Sequence, residues 1–381
     1  MSSERRSGLR RWWIVVAAQL LCGAVAASAC AIPVFRFALE RWEADRFQVI
    51  VYHREPLSVA DAAVVDELQS QSVVSGGPLN IEVIVYDLAA PEPPKLLDAV
   101  PPAAEVSWPW VEVRGRVDHA RWMRRWQGPL ADAKAGGGLY DSPARREIIQ
   151  RILAGHSGVW LVVGPDETGT LAVEKKLQAA LADAARQLPL PQGIGSPGSE
   201  LYAPVPLELR FSVLSVVHGD PAERQFLQLL AATTPAWRAD GTYVIPVFGR
   251  CRALEVIPWQ EAEDEATIAD IAAFICGACS CQVKQANPGF DLLVAADWEQ
   301  RLFGATIPDL PATADVETAD GAPQYVPIPT PRKSPEVRVS QWQYSTVVEV
   351  DYTPLVVAAM VSGVFLAAVV TFLVRYAYGG T

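Results

Sequence analysis

Two long apolar runs, one near each end, constrain the architecture of this chain most strongly. The first carries no charged residue from Trp12 to Phe35, and the second carries none from Tyr352 to Val374. Each is long enough to cross the hydrocarbon core of a bilayer, which takes about 20 residues of helix. We therefore predict two transmembrane helices, at 12–35 and 352–374, with the rest of the chain between them.

The charges that flank these runs predict the orientation of the chain. The first run is preceded by a basic group of residues: Arg5, Arg6, Arg10 and Arg11. Arg375 follows the second run directly. Because cytoplasmic flanks are enriched in Lys and Arg, residues 1–11 are predicted as a basic cytoplasmic N-terminus and 375–381 as a cytoplasmic tail. The bulk of the chain is then predicted on the extracytoplasmic (periplasmic) side of the cytoplasmic membrane.

The first apolar run also has the features of a secretory signal peptide. A basic start and an apolar middle are followed by Ala27-Ser28-Ala29, a small-residue site of the kind that signal peptidases cleave. Cys30 follows directly, so a lipid-modified cysteine is a further alternative. All of these interpretations export the residues that follow.

Between the apolar runs, strand-like and helix-like patterns alternate, which predicts an α/β fold. Apolar, β-branched runs predict strands at 47–52, 81–88, 111–117, 159–164, 207–217, 243–249 and 291–298. Capping residues and helical periodicity predict helices at 58–70, 142–155, 171–188 and 264–276, with another that begins at Asp220. We predict two tandem layered units at 46–188 and 207–303, a Pro/Gly-rich linker at 189–206, and a largely disordered tether at 304–351. A thioredoxin-like fold is one alternative for the two units.

Four cysteines between the apolar runs form the strongest candidate site: Cys251, Cys276, Cys279 and Cys281. In an exported protein they suggest disulfides, while a zinc or copper(I) site and buried free thiols remain alternatives. A catalytic thiol is disfavoured. The apolar periodicity places Cys276 at the C-terminal end of a helix capped by Gly277, where the helix dipole raises a thiol pKa.

The same region resembles an uncharacterised family of exported or membrane-anchored bacterial proteins. The resemblance rests on YVIPVFGRCRALEV, which begins at Tyr243, and on CGACSCQVKQANPGFDLLVAADW, which begins at Cys276. The family pattern reads FPVFGRGRAL and then GxCSCxVKxxNPGxDLL, so Cys251 replaces a glycine and Cys276 stands where the pattern has no cysteine. The resemblance implies that Cys279 and Cys281 are shared and that Cys251 and Cys276 are private, which fits a private disulfide better than a metal site. It brings no function with it.

One basic and aromatic patch is a second candidate site: Arg121, Trp122, Arg124, Arg125 and Trp126. It reads either as the solvated face of a helix or as a contact for anionic lipid or a partner protein. The net charge of −11 argues against nucleic acid as that partner, because phosphate backbones select basic surfaces.

No nucleophile elbow, phosphate loop or metal-binding histidine pair occurs in the sequence. The sequence therefore predicts a membrane-anchored, extracytoplasmic binding or assembly component of an envelope complex, non-catalytic, with a membrane-protein partner and no cofactor. The alternative hypothesis is a thiol-redox or metal-handling protein that uses Cys276, Cys279 and Cys281 with zinc or copper.

Overall fold

Two β-sheets with helices on their faces form the folded part of the chain in the computed structural model. The structure describes residues 31–90, 106–117, 121–134, 138–279 and 284–304, and all of them belong to one compact unit. The predicted α/β class is confirmed. Likeness to thioredoxin stays a prediction.

The helices of the described ranges are α1 Val34–Arg41, α2 Val59–Gln71, α3 Pro143–Leu153, α4 Glu167–Gln187, α5 Arg224–Ala231, α6 Trp259–Ala262, α7 Glu265–Cys276 and α8 Trp298–Phe303. The strands are β1 Phe47–His53, β2 Ile81–Asp87, β3 Trp110–Arg116, β4 Trp122–Pro129, β5 Gly158–Gly164, β6 Phe211–Val217, β7 Tyr243–Phe248, β8 Arg252–Ala253, β9 Ile257–Pro258 and β10 Phe290–Asp291. Short 3-10 turns occupy Val73–Ser75, Leu130–Ala133 and Lys284–Ala286.

The small sheet has the order β2-β1-β3-β4, with β1 and β2 parallel and the other pairs antiparallel. Helix α2 makes the crossover between the two parallel strands, and Ser58 caps it by accepting a hydrogen bond from the backbone N–H of Asp61, as the sequence predicts. Because side chains alternate along a strand, one face of this sheet presents apolar residues to α2 and to the 3-10 turns. Its core includes Phe47, Val49, Val51, Val65, Leu68, Val111 and Val113.

The large sheet has the order β10-β8-β7-β5-β6, and β9 also pairs with β7. Strand β5 is buried along its whole length, which explains why it is apolar at both alternating sets of positions. Trp160 and Val162 face a core that contains residues of α1, α4 and α7. Val159 and Leu161 face the opposite core, which contains residues of α3 and α5.

The Pro/Gly-rich segment 189–206 does not separate two sheets, contrary to the predicted domain boundary. It lies between α4 and β6, and β6 is the parallel neighbour of β5 in the large sheet. Strand β5 and helix α4, assigned to the first unit by sequence, therefore belong to the large sheet. The prediction failed because a Pro/Gly-rich composition marks an irregular connection but does not show which elements pair across it.

The end of the first apolar run belongs to this folded core and not to a membrane span. Ile32, Val34 and Phe35 are buried against the large sheet, and the backbone N–H of Cys279 donates to Ile32 O at 2.9 Å. The predicted limit at Phe35 is therefore wrong, and helix α1 begins at Val34. Residues 12–30 and the predicted span 352–374 lie outside the described residues. Within the described ranges, no helix combines the length and the hydropathy of a bilayer crossing.

The strand predicted at 291–298 shortens to the two residues of β10. Side chains and loop backbone together satisfy the residues beyond it. Arg145 Nη1 donates to Leu293 O, Asn80 Oδ1 accepts from the N–H of Val294, and the N–H of Ala296 donates to Pro78 O. A neighbouring strand is therefore not required there.

Helix α5 joins the cores of the two sheets. Phe226 and Leu230 pack in the core of the large sheet, whereas Leu229 packs in the core of the small sheet. Likewise, Leu292 packs in the core of the large sheet and the adjacent Leu293 packs in the core of the small sheet. The two sheets consequently share helix α5 and the segment after β10, and this seam contains the candidate site.

Candidate functional site

A cleft opens at the seam between the small sheet and helix α5. It encloses about 410 Å³, including the part open to solvent. Its wall is formed by residues from the small sheet, from α5 and from the segment around β10: Asp45, Phe47, Gly115, Arg116, Arg125, Phe226, Leu229, Leu230, Thr233, Phe290, Asp291, Leu292 and Leu293. The lining is mainly aromatic and aliphatic with a few charged groups, which is the usual composition of a small-molecule site.

Arg125 is the most unusual charged group in this lining. It lies on β4, is 8% exposed, and is placed by a bulge that shifts the register of β3 and β4. Its guanidinium Nη1 donates to Ala232 O at 2.9 Å and contacts Met123 Sδ, and Nη2 donates to Arg116 O at 3.3 Å. All of these acceptors are neutral. Burial lowers the pKa of Arg125 to about 10.

Asp291 also lines the cleft and belongs to a buried ionic network. It pairs with Arg252 Nη1 at 3.0 Å and with Lys284 Nζ at 2.5 Å, and it accepts the backbone N–H of Asp45. Lys284 also pairs with the carboxylate of Asp45 at 3.0 Å. Burial alone would raise the pKa of Asp291, but the positive charges of Lys284 and Arg252 lower it below its usual range.

The network connects the two sequence stretches on which the family resemblance rests. Strands β8 and β10 pair Arg252 with Asp291 and Ala253 with Phe290, so the two quoted sequence stretches meet in space. Arg252 also donates to the carbonyls of Asn287, Pro288 and Gly289. The charged residues near the cysteines in the sequence therefore connect β8 to β10 and to the residues just before β10. Sequence reasoning missed them, although Arg252, Lys284 and Asp291 stand inside the quoted motifs and offered a signal.

The turn at Gly249 joins the same motif to helix α1. Gly249 has φ +57°, and a Cβ there would lie 2.6 Å from Ala38 Cβ, so only glycine permits this close approach. Arg250 then donates to Leu39 O and Glu40 O and satisfies carbonyls at the end of α1.

The predicted cysteine site is not assembled by the described residues. Cys251 and Cys276 are buried free thiols in different cores, on opposite faces of the large sheet. Cys279 is buried in the same core as Cys276, and Cys281 lies outside the described residues. The private disulfide that the resemblance implies between Cys251 and Cys276 is thus contradicted. In the described ranges, no group of three or more potential metal ligands comes together.

Both free thiols lie in surroundings that oppose the reactive thiolate. Burial raises the pKa of Cys276 to about 12, and burial followed by the charge of Asp291 raises the pKa of Cys251 well above its usual range. Cys276 is the last residue of α7, and Gly277 caps that helix, as the sequence predicts. Because thiolates are the nucleophilic form, neither thiol has the character of a redox centre.

We expect both thiols to resist modification in the folded protein. Native full-length protein treated with iodoacetamide at pH 8 should show alkylation of Cys251 and Cys276 at least about 100-fold slower than in denaturant, since the thiolate population falls about tenfold for each unit of pKa. Mass spectrometry of the proteolysed peptides measures each position separately. Equal rates for Cys276 in native and denatured protein would show that this thiol is accessible.

The predicted basic and aromatic patch is divided between two faces of a strand. It does not lie on a helix, because Trp122 to Trp126 belong to β4. Arg125 and Trp126 are buried, whereas Arg121 and Arg124 are exposed. Trp122 stacks under the guanidinium of Arg116 at 4.8 Å. Arg125 is the member of the patch that reaches the cleft.

Comparison with protein-family models, with curated proteins and with solved structures finds no match to this chain. Its function is therefore inferred from the residues of the cleft and from the sequence features described above.

Proposed function

We propose that this protein is a non-catalytic, extracytoplasmic binding or assembly component of the cell envelope. The apolar runs 12–30 and 352–374 would hold it at the cytoplasmic membrane, beside a membrane-protein partner. The cleft between the small sheet and helix α5 would be its binding site.

The cleft itself carries this proposal. Three phenylalanines, Phe47, Phe226 and Phe290, and several leucines line it, so a bound group would be removed from water on several sides. Its described lining contains one hydroxyl, that of Thr233, together with carboxylates and arginines, and it contains no histidine, lysine or cysteine that could activate this hydroxyl or act as a nucleophile. Asp291, the more buried of the two acids in the lining, forms ion pairs with Arg252 and Lys284. Binding is therefore the role that this geometry supports best.

The rival hypothesis, a thiol-redox or metal-handling protein, has weaker support. Cys251 lies across the large sheet from Cys276 and Cys279, so these three side chains do not face a common centre. The raised pKa of the Cys276 thiol further disfavours its role as a thiolate ligand or nucleophile.

A cleft-filling variant tests the proposal. Thr233 is half-buried in the lining, and Thr233→Trp should fill the cleft with an indole ring. We expect full-length wild-type protein, extracted from its native membranes in mild detergent, to retain a stoichiometric ligand or membrane-protein partner. The variant should retain at least about tenfold less, since a loss of about 1.4 kcal/mol in binding free energy corresponds to that factor. Native mass spectrometry measures the occupancy.

Ala236→Trp provides the matched control, because Ala236 is exposed in the same loop and lies outside the lining. This variant should retain the bound component at the wild-type level. Wild-type protein without any stoichiometric component, or equal retention by Thr233→Trp, would contradict the proposal.

A further inference from the structure

We propose that the cleft binds the carboxylate of a small ligand with an apolar body, and that Arg125 pairs with this carboxylate. The inference rests on the proposed function in one respect, since it takes the cleft as the binding site. It adds the chemical class of the ligand and the residue that selects it.

The first argument is that Arg125 has hydrogen-bond donors without acceptors among the described residues. A guanidinium has five N–H groups and no acceptor. The groups on Nη1 contact Ala232 O and Met123 Sδ, and one on Nη2 donates to Arg116 O. The Nε–H and a second Nη2 N–H have no acceptor in the described part of the chain. The Nε and Nη2 nitrogens share one edge of the guanidinium, and this edge can bind both oxygens of a carboxylate.

The second argument is a comparison with other buried arginines. Arg36 pairs with Glu40 at 2.7 Å, Arg252 pairs with Asp291 at 3.0 Å, and Arg250 pairs with Glu299 at 2.6 Å. Arg125 has no ion pair among the described residues. Arg145 also lacks one, but its Nε, Nη1 and Nη2 all donate to neutral oxygens, whereas the Nε–H of Arg125 has no acceptor among the described residues. Burial of an unpaired cation is unfavourable by several kcal/mol, and such groups are ordinarily paired. An anionic ligand in the cleft would supply the missing partner.

The other charges around the cleft are compatible with an anionic ligand. Arg116 adds a second positive group to the lining. The two acids of the lining, Asp45 and Asp291, both pair with Lys284, and Asp291 also pairs with Arg252. The negative charges of both acids are therefore compensated by cations, whereas the positive charge of the Arg125 guanidinium has no compensating anion among the described residues.

The third argument concerns the body of the ligand. The lining of the cleft is formed mainly by aromatic and aliphatic side chains. Phe47, Phe226 and Phe290 lie in this lining near the guanidinium-bearing wall, so a carboxylate attached to an apolar group matches the chemistry of the lining better than an inorganic anion does.

Gly115 leaves room next to the guanidinium. A Cβ at this position would lie 3.2 Å from Arg125 Nε and 2.8 Å from Phe47 Cε1. Because Gly115 has no side chain, the space beside the Nε–H of Arg125 stays open. Gly115→Ala should narrow this space without removing the positive charge.

Calorimetric titration of the full-length protein in neutral detergent tests the inference with phenylacetate and with its neutral analogue phenylacetamide. Phenylacetate should bind at least about tenfold more tightly than the amide, since charge-assisted hydrogen bonds are about twice as strong as neutral ones. Arg125→Gln should weaken phenylacetate at least tenfold and change the amide little. Gly115→Ala should weaken phenylacetate as well, and it keeps the test decisive if Arg125→Gln does not fold.

Arg124→Gln is the matched control, because Arg124 is the exposed neighbour on β4 and lies outside the cleft. It removes the same charge and should leave phenylacetate binding unchanged. Equal binding of phenylacetate and phenylacetamide, equal binding of inorganic phosphate, or no binding of phenylacetate would overturn the inference. The proposed function would survive each of these results if the retained component still depended on Thr233, so the two failures are distinguishable.

Discussion

Replacing Asp291 with asparagine is expected to lower the free energy of unfolding by about 3–5 kcal/mol, because two buried cations would lose their carboxylate. Asp291 is 5% exposed and pairs with both Arg252 and Lys284. Asparagine keeps the size of the side chain but cannot compensate either charge. Chemical denaturation of the full-length protein, followed by tryptophan fluorescence at pH 7, measures the difference.

Asp240→Asn is the control for this prediction, since Asp240 is an exposed loop residue. Its effect should stay within about 0.5 kcal/mol, as is usual for surface substitutions. Similar unfolding midpoints for the two variants would show that the network contributes little to stability.

The same variant should also change the dependence of stability on pH. The folded state lowers the pKa of Asp291, because the charges of Lys284 and Arg252 outweigh the effect of burial. A lowered pKa stabilises the folded state above the unfolded value, near 4, and this contribution is lost as the pH falls through the folded value. The difference between wild type and Asp291→Asn should therefore be constant from about pH 7 to 5 and shrink below about pH 4.

Replacing Glu40 with leucine is the second substitution for which a large effect is expected, again about 3–5 kcal/mol. Glu40 and Arg36 form a 2.7 Å ion pair in which both side chains are 1% exposed. The carboxylate of Glu40 also accepts the backbone N–H groups of Tyr202 and Ala203. Its removal would leave the buried Arg36 guanidinium without a counter-charge and the two backbone N–H groups without acceptors. Chemical denaturation of the full-length protein measures the loss.

Glu147→Leu is the matched control, because Glu147 and Arg151 form an i,i+4 pair of the same kind that is partly exposed to solvent. Such surface pairs contribute about 0–1 kcal/mol. In addition, the double variant Arg36→Leu with Glu40→Leu should lose at least about 1 kcal/mol less than the sum of the single variants, as expected for residues in direct contact. Additive losses would argue against a coupled pair.

Local patterns in the sequence predicted local structure well. The cap at Ser58, the helix start at Ser142-Pro143 and the buried strand at β5 depend on residues close in the chain, and the structure confirms all three. The end of α7 at Cys276 with its Gly277 cap is confirmed for the same reason. These signals act over one or two turns of chain, so a single sequence contains them.

The candidate site was predicted only in small part. Arg125 stood in the predicted basic and aromatic patch, but its assignment to a helix face concealed that consecutive residues of a strand point to opposite faces and that a bulge re-orients Arg125. Exposed Arg124 and buried Arg125 therefore have different surroundings. The other walls of the cleft come from α5 and β10, which follow β4 in the chain by about 100 and 160 residues.

By itself, the sequence determined the α/β class, most of the helices and strands, and the two apolar runs that predict membrane attachment. Tertiary structure alone decided three further points. It placed β5 beside β6 across the Pro/Gly-rich segment, separated Cys251 from Cys276, and brought Arg125 to a cleft in which no carboxylate from the described residues pairs with it. Periodicity reports which way each side chain points along its own element, whereas these three outcomes depend on which distant elements become neighbours.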